Sequence, residues 1–347
     1  MKYRLDELSV IKRGGSPRPI TDYLANEGLP WLKISDFNYG ERYVYNSHEF
    51  IIPKGLNKTK LVKKNTLIVT NSATPGIPIF LGKDMCLHDG FLYFESISDK
   101  VLPMYLYYFL LKQRDFLKSQ GNGSIFINLK KEILERTIID LPDIENQNHI
   151  VNTIGTIDDL LEYKQKIIDK LKEYSTLLYK GYSAIESINK INLGDCCTIK
   201  TGKINADQAV INGKYFFFTC GKEDLYINDY VFNCKAIIIS GNGEISVKYY
   251  DGKFNAYQRT YVLEPQKYFY IFLKECELSI EDLKMNSQGS VIKFITKGML
   301  EKISISINDN SNILNEKLKN IYNDISIINN EIRLLNKIKT KLLAKYF

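Results

Sequence analysis

The chain has 347 residues, 44% hydrophobic and 25% charged, an ordinary globular balance that suggests about two domains. The net charge of +7 leans towards a polyanionic partner. No apolar run approaches the roughly 20 residues of a membrane span, and the opening MKYRLDELSV lacks the apolar core of a signal peptide, so no membrane association and a cytoplasmic location are expected.

Residues 1–142 alternate short apolar runs with turn residues. Segments 66–70, 77–81 and 90–94 read as strands, and 102–116, with Pro103 near its start, reads as a helix. Leu141-Pro142-Asp143 then stops the strand pattern, with Asp143 placed to cap a helix. A first long helix is predicted over 143–186. Its apolar stripe runs through Ile150, Ile154, Ile157, Leu161, Ile168, Leu171 and Leu178, with Lys164 and Ser175 at two stripe positions. Residues 187–308 form a second mostly-β stretch, with strands expected at 214–219, 235–240, 245–250 and 259–263 and a shorter helix at 271–283. A second long helix follows over 309–347. Its stripe holds Leu314, Leu318, Ile321, Ile325, Ile328, Ile332, Leu335 and Leu342, with Lys339 inside it. Alternating steps of three and four are the mark of helices that pair. Each stripe lacks an equally long partner elsewhere, so the two helices are expected to pair with each other, antiparallel. A helix of about 32 residues is about 48 Å long.

The two halves match in order. Ile11-Lys12-Arg13-Gly14 is matched by Ile199-Lys200-Thr201-Gly202, and Ser119-Gln120-Gly121 by Ser287-Gln288-Gly289. Lys131-Glu132-Ile133-Leu134-Glu135 is matched by Lys297-Gly298-Met299-Leu300-Glu301, and Leu177-Leu178-Tyr179-Lys180 by Leu342-Leu343-Ala344-Lys345. The chain therefore reads as a tandem duplication of two α+β modules, each mostly β and each followed by a long helix. The halves agree at their ends and differ in their middles, which points to one scaffold carrying two different surfaces.

Catalytic signatures are missing. There is no Gly-x-x-x-x-Gly-Lys-Ser/Thr phosphate loop, and Gly121-Asn122-Gly123 and Gly241-Asn242-Gly243 lack the third glycine of a dinucleotide fingerprint. No Asn/Asp-Pro-Pro-Tyr/Phe loop of an amino-methyltransferase occurs. The six cysteines form no Cys-x-x-Cys pair, and the three histidines, His48, His88 and His149, are scattered, so no metal site and no cofactor are expected in this chain.

Several segments resemble the specificity subunits of type I restriction-modification systems. Ile11-Lys12-Arg13-Gly14-Gly15-Ser16-Pro17 and Ile199-Lys200-Thr201-Gly202 are similar to that family's opening strand and glycine turn. Leu29-Pro30-Trp31-Leu32-Lys33-Ile34-Ser35-Asp36 resembles its Pro-Trp segment, and Ile237-Ile238-Ile239-Ser240-Gly241-Asn242-Gly243 its strand and Gly-Asn-x-Gly loop. The resemblance covers nearly the whole chain. The second half lacks a Pro-Trp segment, and its long helix is approached through Asn308-Asp309-Asn310-Ser311 without proline. The resemblance implies that 1–142 and 187–308 are target-recognition modules, each reading one half of a split, asymmetric site in double-stranded DNA. The helices 143–186 and 309–347 then set the gap and dock two adenine methyltransferase subunits, with restriction or motor subunits joining. S-adenosylmethionine and ATP belong to those partners, and this chain is expected to be non-catalytic. The alternative is a coiled-coil assembly protein whose modules bind other proteins.

DNA contact divides into backbone positioning and base reading. Lys12, Arg13, Ser16, Arg18 and Lys33 in the first module, and Lys200 and Lys203 in the second, suit phosphates. Asn71, Ser72, Thr74, Gln120 and Asn122, and Ser240, Asn242, Tyr257, Gln258, Arg259 and Gln288, sit in polar loops with donors and acceptors for base edges.

Overall fold

The computed structural model describes residues 1–37, 40–120, 128–184, 189–221, 225–285 and 294–347. The chain divides into two compact units, Met1–Glu162 with Ile332–Phe347, and Tyr163–Glu331. The divide cuts both long helices, so each unit holds one module with a length of each helix. Four long helices are labelled here in chain order: α1 (Pro103–Ser119), α2 (Ile144–Ser183), α3 (Phe269–Met285) and α4 (Ser311–Tyr346). Helix α3 is as long as α1, 17 residues, not shorter as the apolar pattern suggested. Its first turn, Phe269-Tyr270, follows Tyr268 in a left-handed conformation (φ 52°) that no sequence pattern marked. Among the described residues no helix is long and apolar enough to cross a membrane.

In the first unit, one five-stranded sheet has Ser9–Arg13 beside Phe91–Ile97, then Leu67–Thr70, Pro78–Leu81 and the edge strand Tyr43–Val44. A second has Leu29–Leu32 beside Met85–Leu87, in parallel, with Glu49–Ile51 and Lys60–Val62 outside them. Helix α1 covers the first sheet. Tyr105, Leu106, Tyr107, Tyr108, Phe109 and Leu110 are buried in one core with Ile11, Val69, Phe80 and Leu92. Ile150 and Ile154 of α2 and Leu343 of α4 join that core.

In the second unit six strands form one sheet, and Asn189–Asn192 pairs with Ser304–Ile307 in a separate two-stranded one. Cys197–Thr201 lies beside Thr260–Pro265, then Phe232–Ser240, Val247–Ala256, Tyr215–Phe218 and Leu225–Ile227. The long hairpin of Phe232–Ser240 and Val247–Ala256 runs unbroken here, where the first unit splits the same path between two sheets.

Register shows the duplication residue by residue. Leu92 pairs with Arg13 and Phe91 with Thr70, as Tyr261 pairs with Thr201 and Thr260 with Ser240. Trp31 and Leu32 run parallel to Cys86 and Leu87, as Phe217 and Phe218 run parallel to Asn255 and Ala256. Phe216-Phe217 thus fills the place of Pro30-Trp31, and the second half keeps the strand without the motif. Gly14 and Gly202 are equivalent: their N–H groups donate to the carbonyls of Phe91 and Thr260. A Cβ on Gly14 would lie 2.2 Å from the His88 carbonyl oxygen, and one on Gly202 1.8 Å from that of Ala256. Only glycine allows this approach of two backbones.

Asp143 caps α2, its Oδ1 accepting from the Asn146 N–H at 2.8 Å. Buried Gln147 ties the helix start to the module through Leu102 N–H, the Lys100 carbonyl and the Pro142 carbonyl. In the second unit α2 and α4 run antiparallel, because Lys164 Nζ meets Glu331 at 2.6 Å while Tyr182 meets Ser311 Oγ at 2.6 Å. In the first unit Lys339 Nζ of α4 reaches Asp158 of α2 at 2.6 Å. The stripe residues Ile150, Ile154, Ile168, Leu314, Leu318, Ile321 and Ile325 are buried. Ile157, Leu161, Leu171, Leu178, Ile328, Ile332, Leu335 and Leu342 are half-buried. The long helices have 40 and 36 residues.

Three substitutions separate steric, entropic and electrostatic contributions to stability. Gly202→Ala should destabilise by about 1–3 kcal/mol through forced backbone displacement. Gly181→Ala, on an exposed turn of α2 with nothing within 4 Å, should stabilise by about 0.5–1 kcal/mol. Opposite shifts in denaturant midpoint check both. Asp158→Leu should cost about 3–5 kcal/mol by stranding buried Lys339, and adding Lys339→Met should recover most of it. Equal losses in the single and double variants would show that the ion pair does not govern this contact.

Candidate nucleic-acid interface

In the first module three segments converge at one end of the sheet. The Gly15 N–H donates to the Leu87 carbonyl and the Asn71 N–H to the Gly90 carbonyl, both at 2.9 Å. This brings residues 14–18, 71–76 and 88–90 together. The loop 71–76 is tight: Thr70 Oγ1 donates to the Thr74 carbonyl, and Ala73 and Gly76 adopt positive φ. Asp89 is the hub. Its Oδ1 accepts from Ser16 Oγ at 2.8 Å, and Arg13 and Arg18 approach its Oδ2 at 3.9 and 4.0 Å. Arg13 Nε also donates to the Asp89 carbonyl at 2.8 Å. Burial pushes the Asp89 carboxyl up, but the Ser16 hydrogen bond and the surrounding cations hold it below its ordinary value. Burial lowers the His88 pKa. His88 Nδ1 accepts the Gly90 N–H at 2.8 Å, and Nε2 lies 3.1 Å from Asp89 Oδ1, as suits a neutral ring protonated on Nε2.

The second module repeats the arrangement with other side chains. The Gln258 N–H donates to the Ile204 carbonyl, Gly241 to Arg259, and Glu244 to Cys220. Residues 202–204, 241–244 and 257–259 therefore meet as 14–18, 71–76 and 88–90 do. Gln258 stands where Asp89 stands and Arg259 where Gly90 stands, so an amide occupies the hub position and an exposed cation lies beside it. Lys203, Gln258 and Arg259 are exposed and Tyr257 is half-buried.

The proposed contact residues do not share one environment. Arg13, Ser16, Arg18, Ser72 and Thr74, and Lys203, Asn242, Tyr257, Gln258 and Arg259, lie on the converging loops. Lys12 and Lys200 occupy equivalent strand positions, and each bonds a carboxylate of the neighbouring strand, Glu95 and Glu264. Lys33 pairs with Glu49. Ser240 is buried, with Oγ 3.1 Å from Ser246 Oγ, and serves the turn. Asn71 is also buried. Its carbonyl accepts from Leu129 as that of Gly241 accepts from Ile295, and among the described residues neither Asn71 Oδ1 nor Asn242 Oδ1 has a hydrogen-bond partner. Gln120 is exposed at the C-terminal end of α1. Asn122 and Gln288 lie outside the described residues. Sequence reasoning missed Asp89 and His88. Their signal was the register of Phe91 with Thr70, visible only once the strands are paired.

The family described as "Type I restriction modification DNA specificity domain" matches residues 1–173 and again 186–344. The EcoDI specificity subunit of a type I restriction enzyme from Escherichia coli is 40% identical over 34% of this chain, a match spanning 27% of that relative. The MjaIX specificity subunit from Methanocaldococcus jannaschii is 24% identical over 99% of this chain and 91% of its own length. A crystal structure of the S subunit of a type I restriction-modification system from M. genitalium shares the fold at a TM-score of 0.60. It has 18% identity and covers all of this chain and 96% of that one. With both halves matched over almost their whole length, the chain belongs to the type I restriction-modification DNA specificity family.

Proposed function

We propose that the chain supplies DNA sequence specificity to a type I restriction-modification complex, each module reading one half of a split target. The observation that carries this reading is the repeated convergence of three loops at one end of each sheet, on one backbone register but with different side chains. A shared register explains a shared mode of approach to the duplex. Different residues at the tips, Asp89 against Gln258 and Gly90 against Arg259, explain unlike half-sites. Lys203, Arg13, Arg18 and Arg259 supply positive charge beside the loops for phosphate contact. The module limits 1–142 and 187–308, with spacer helices 143–186 and 309–347, are part of the same proposal.

The chemistry lies on partner subunits, two adenine methyltransferases and restriction or motor subunits, in the cytoplasm. Apolar side chains left exposed on the spacer helices support docking of such partners. On α2 they include Leu160, Tyr163, Tyr174 and Leu177, on one face beside the pairing stripe; on α4 they include Ile327, Leu334 and Ile338.

Co-expression with the methyltransferase subunit and mapping of methylated adenines across a random library should yield one split motif with unlike halves. Replacing 1–142 by the module of another family member should change one half alone. Absence of both complex and methylation would favour the protein-assembly alternative. In binding titrations, Arg13→Ala should weaken affinity on every sequence and reduce the slope of log K against log salt by about 1. An unchanged slope would remove Arg13 from the phosphate contacts.

A further inference from the structure

The first module is joined to its spacer helix by a charged cluster that target reading does not use. Arg42 opens the edge strand Tyr43–Val44, and its carbonyl accepts the Phe80 N–H at 2.8 Å, so its backbone is part of the sheet. Its guanidinium is 12% exposed and spans two carboxylates of α2: Nη2 donates to Asp159 at 2.6 Å and Nε to Glu162 at 2.7 Å. The neighbouring Asp158 faces the other way, taking the Tyr108 hydroxyl of α1 at 2.8 Å and Lys339 of α4 at 2.6 Å. One turn of α2 thus ties together the sheet edge, α1 and α4.

The division of labour follows from the physics. The apolar contacts of α2 with this core run through Ile150 and Ile154. Hydrophobic burial holds the helix against the module but is non-directional. The Arg42 clamp acts five to eight residues further on, about 8–12 Å along the helix axis, where it opposes rotation about the apolar contact. A guanidinium bonded to two carboxylates also carries a defined geometry. In the second module tyrosine hydroxyls make contacts at the helices: Tyr179 bonds Glu275, Tyr182 bonds the Ser306 carbonyl, and Tyr249 bonds the Tyr322 carbonyl.

We propose that the Arg42 clamp fixes the tilt of the first module on α2 and thereby selects the number of base pairs between the half-sites, making Arg42 a positioning residue for target spacing. This rests on the reading of a split DNA target given above. The half-site letters come from the loops at residues 14–18, 71–76 and 88–90; the clamp controls only where that half is met.

The test maps adenine methylation by the complex carrying wild-type chain, Arg42→Met, Arg42→Lys or Arg42→Glu/Glu162→Arg, on libraries whose gap varies by one base pair either way. For Arg42→Met, which removes both charged hydrogen bonds, both half-site sequences should persist, while preference for the native gap falls at least about tenfold. Arg42→Lys, which has a single ammonium for two carboxylates, should fall between, and the charge-swapped pair, whose new carboxylate also faces Asp159, should recover the native preference in part. Unchanged gap preference in Arg42→Met overturns the proposal. So does a total loss of methylation that the swapped pair does not restore. If the wild-type complex itself methylates no split motif, the underlying functional reading fails instead.

Discussion

A cation placed in the apolar stripe of a helix must meet an anion there, since desolvation of an unpaired charge would cost more than the surrounding packing returns. Lys339 is such a cation, and Asp158 is its partner, 2.6 Å away with both side chains largely buried. In the other unit Lys164 meets Glu331 at 2.6 Å, but there the glutamate side chain is 47% exposed, so solvent screens the pair and its contribution is the smaller one. These pairs fix which turn of α2 lies against which turn of α4, a choice that leucines and isoleucines alone leave degenerate along a repeating stripe. Everything proposed for the chain depends on that register. Within each unit, a slipped helix pair would break the ion pair that the stripe is built around.

On this frame the duplicated modules preserve backbone and vary side chains. The invariants are steric: Gly14 and Gly202, each under a carbonyl that a methyl group would strike, and the parallel strands that carry Trp31 and Phe217. The variables are the tips. In the first module Asp89 gathers Arg13, Arg18 and Ser16, a preorganised cluster whose side chains are already engaged. In the second, the equivalent positions carry Gln258 and Arg259, both exposed. The ion pairs Lys12–Glu95 and Lys200–Glu264 recur at one register position in both halves, so that feature belongs to the scaffold.

Much of the frame was legible in the sequence because periodicity is local. The steps of three and four from Ile150 to Leu178 and from Leu314 to Leu342 required no knowledge of the fold. They correctly implied helices that pair antiparallel. Even the exceptions, Lys164, Ser175 and Lys339, could be seen as irregular. Their partners could not, since Glu331 lies 167 residues from Lys164 and no local pattern links them. The candidate site was legible in part. Gly14, Gly202 and the Gly241-Asn242-Gly243 turn stand out as glycines, but the equivalence of Asp89 with Gln258 rests on strand register across dissimilar residues. The apparent absence of the Pro-Trp strand from the second half had the same origin, since Phe216-Phe217 preserves shape and burial without preserving letters. Arg42 gave no signal, because one arginine before a two-residue edge strand resembles any solvated cation until α2 is placed beside it.

The claim that two equivalent heads read two separate half-sites is tested most directly by footprinting at single-nucleotide resolution with the assembled methyltransferase complex on its methylated target. The account predicts two protected major-groove tracts of unlike sequence, separated by base pairs whose identity does not affect binding. A single continuous tract, or two tracts of the same sequence in inverted orientation, would contradict it.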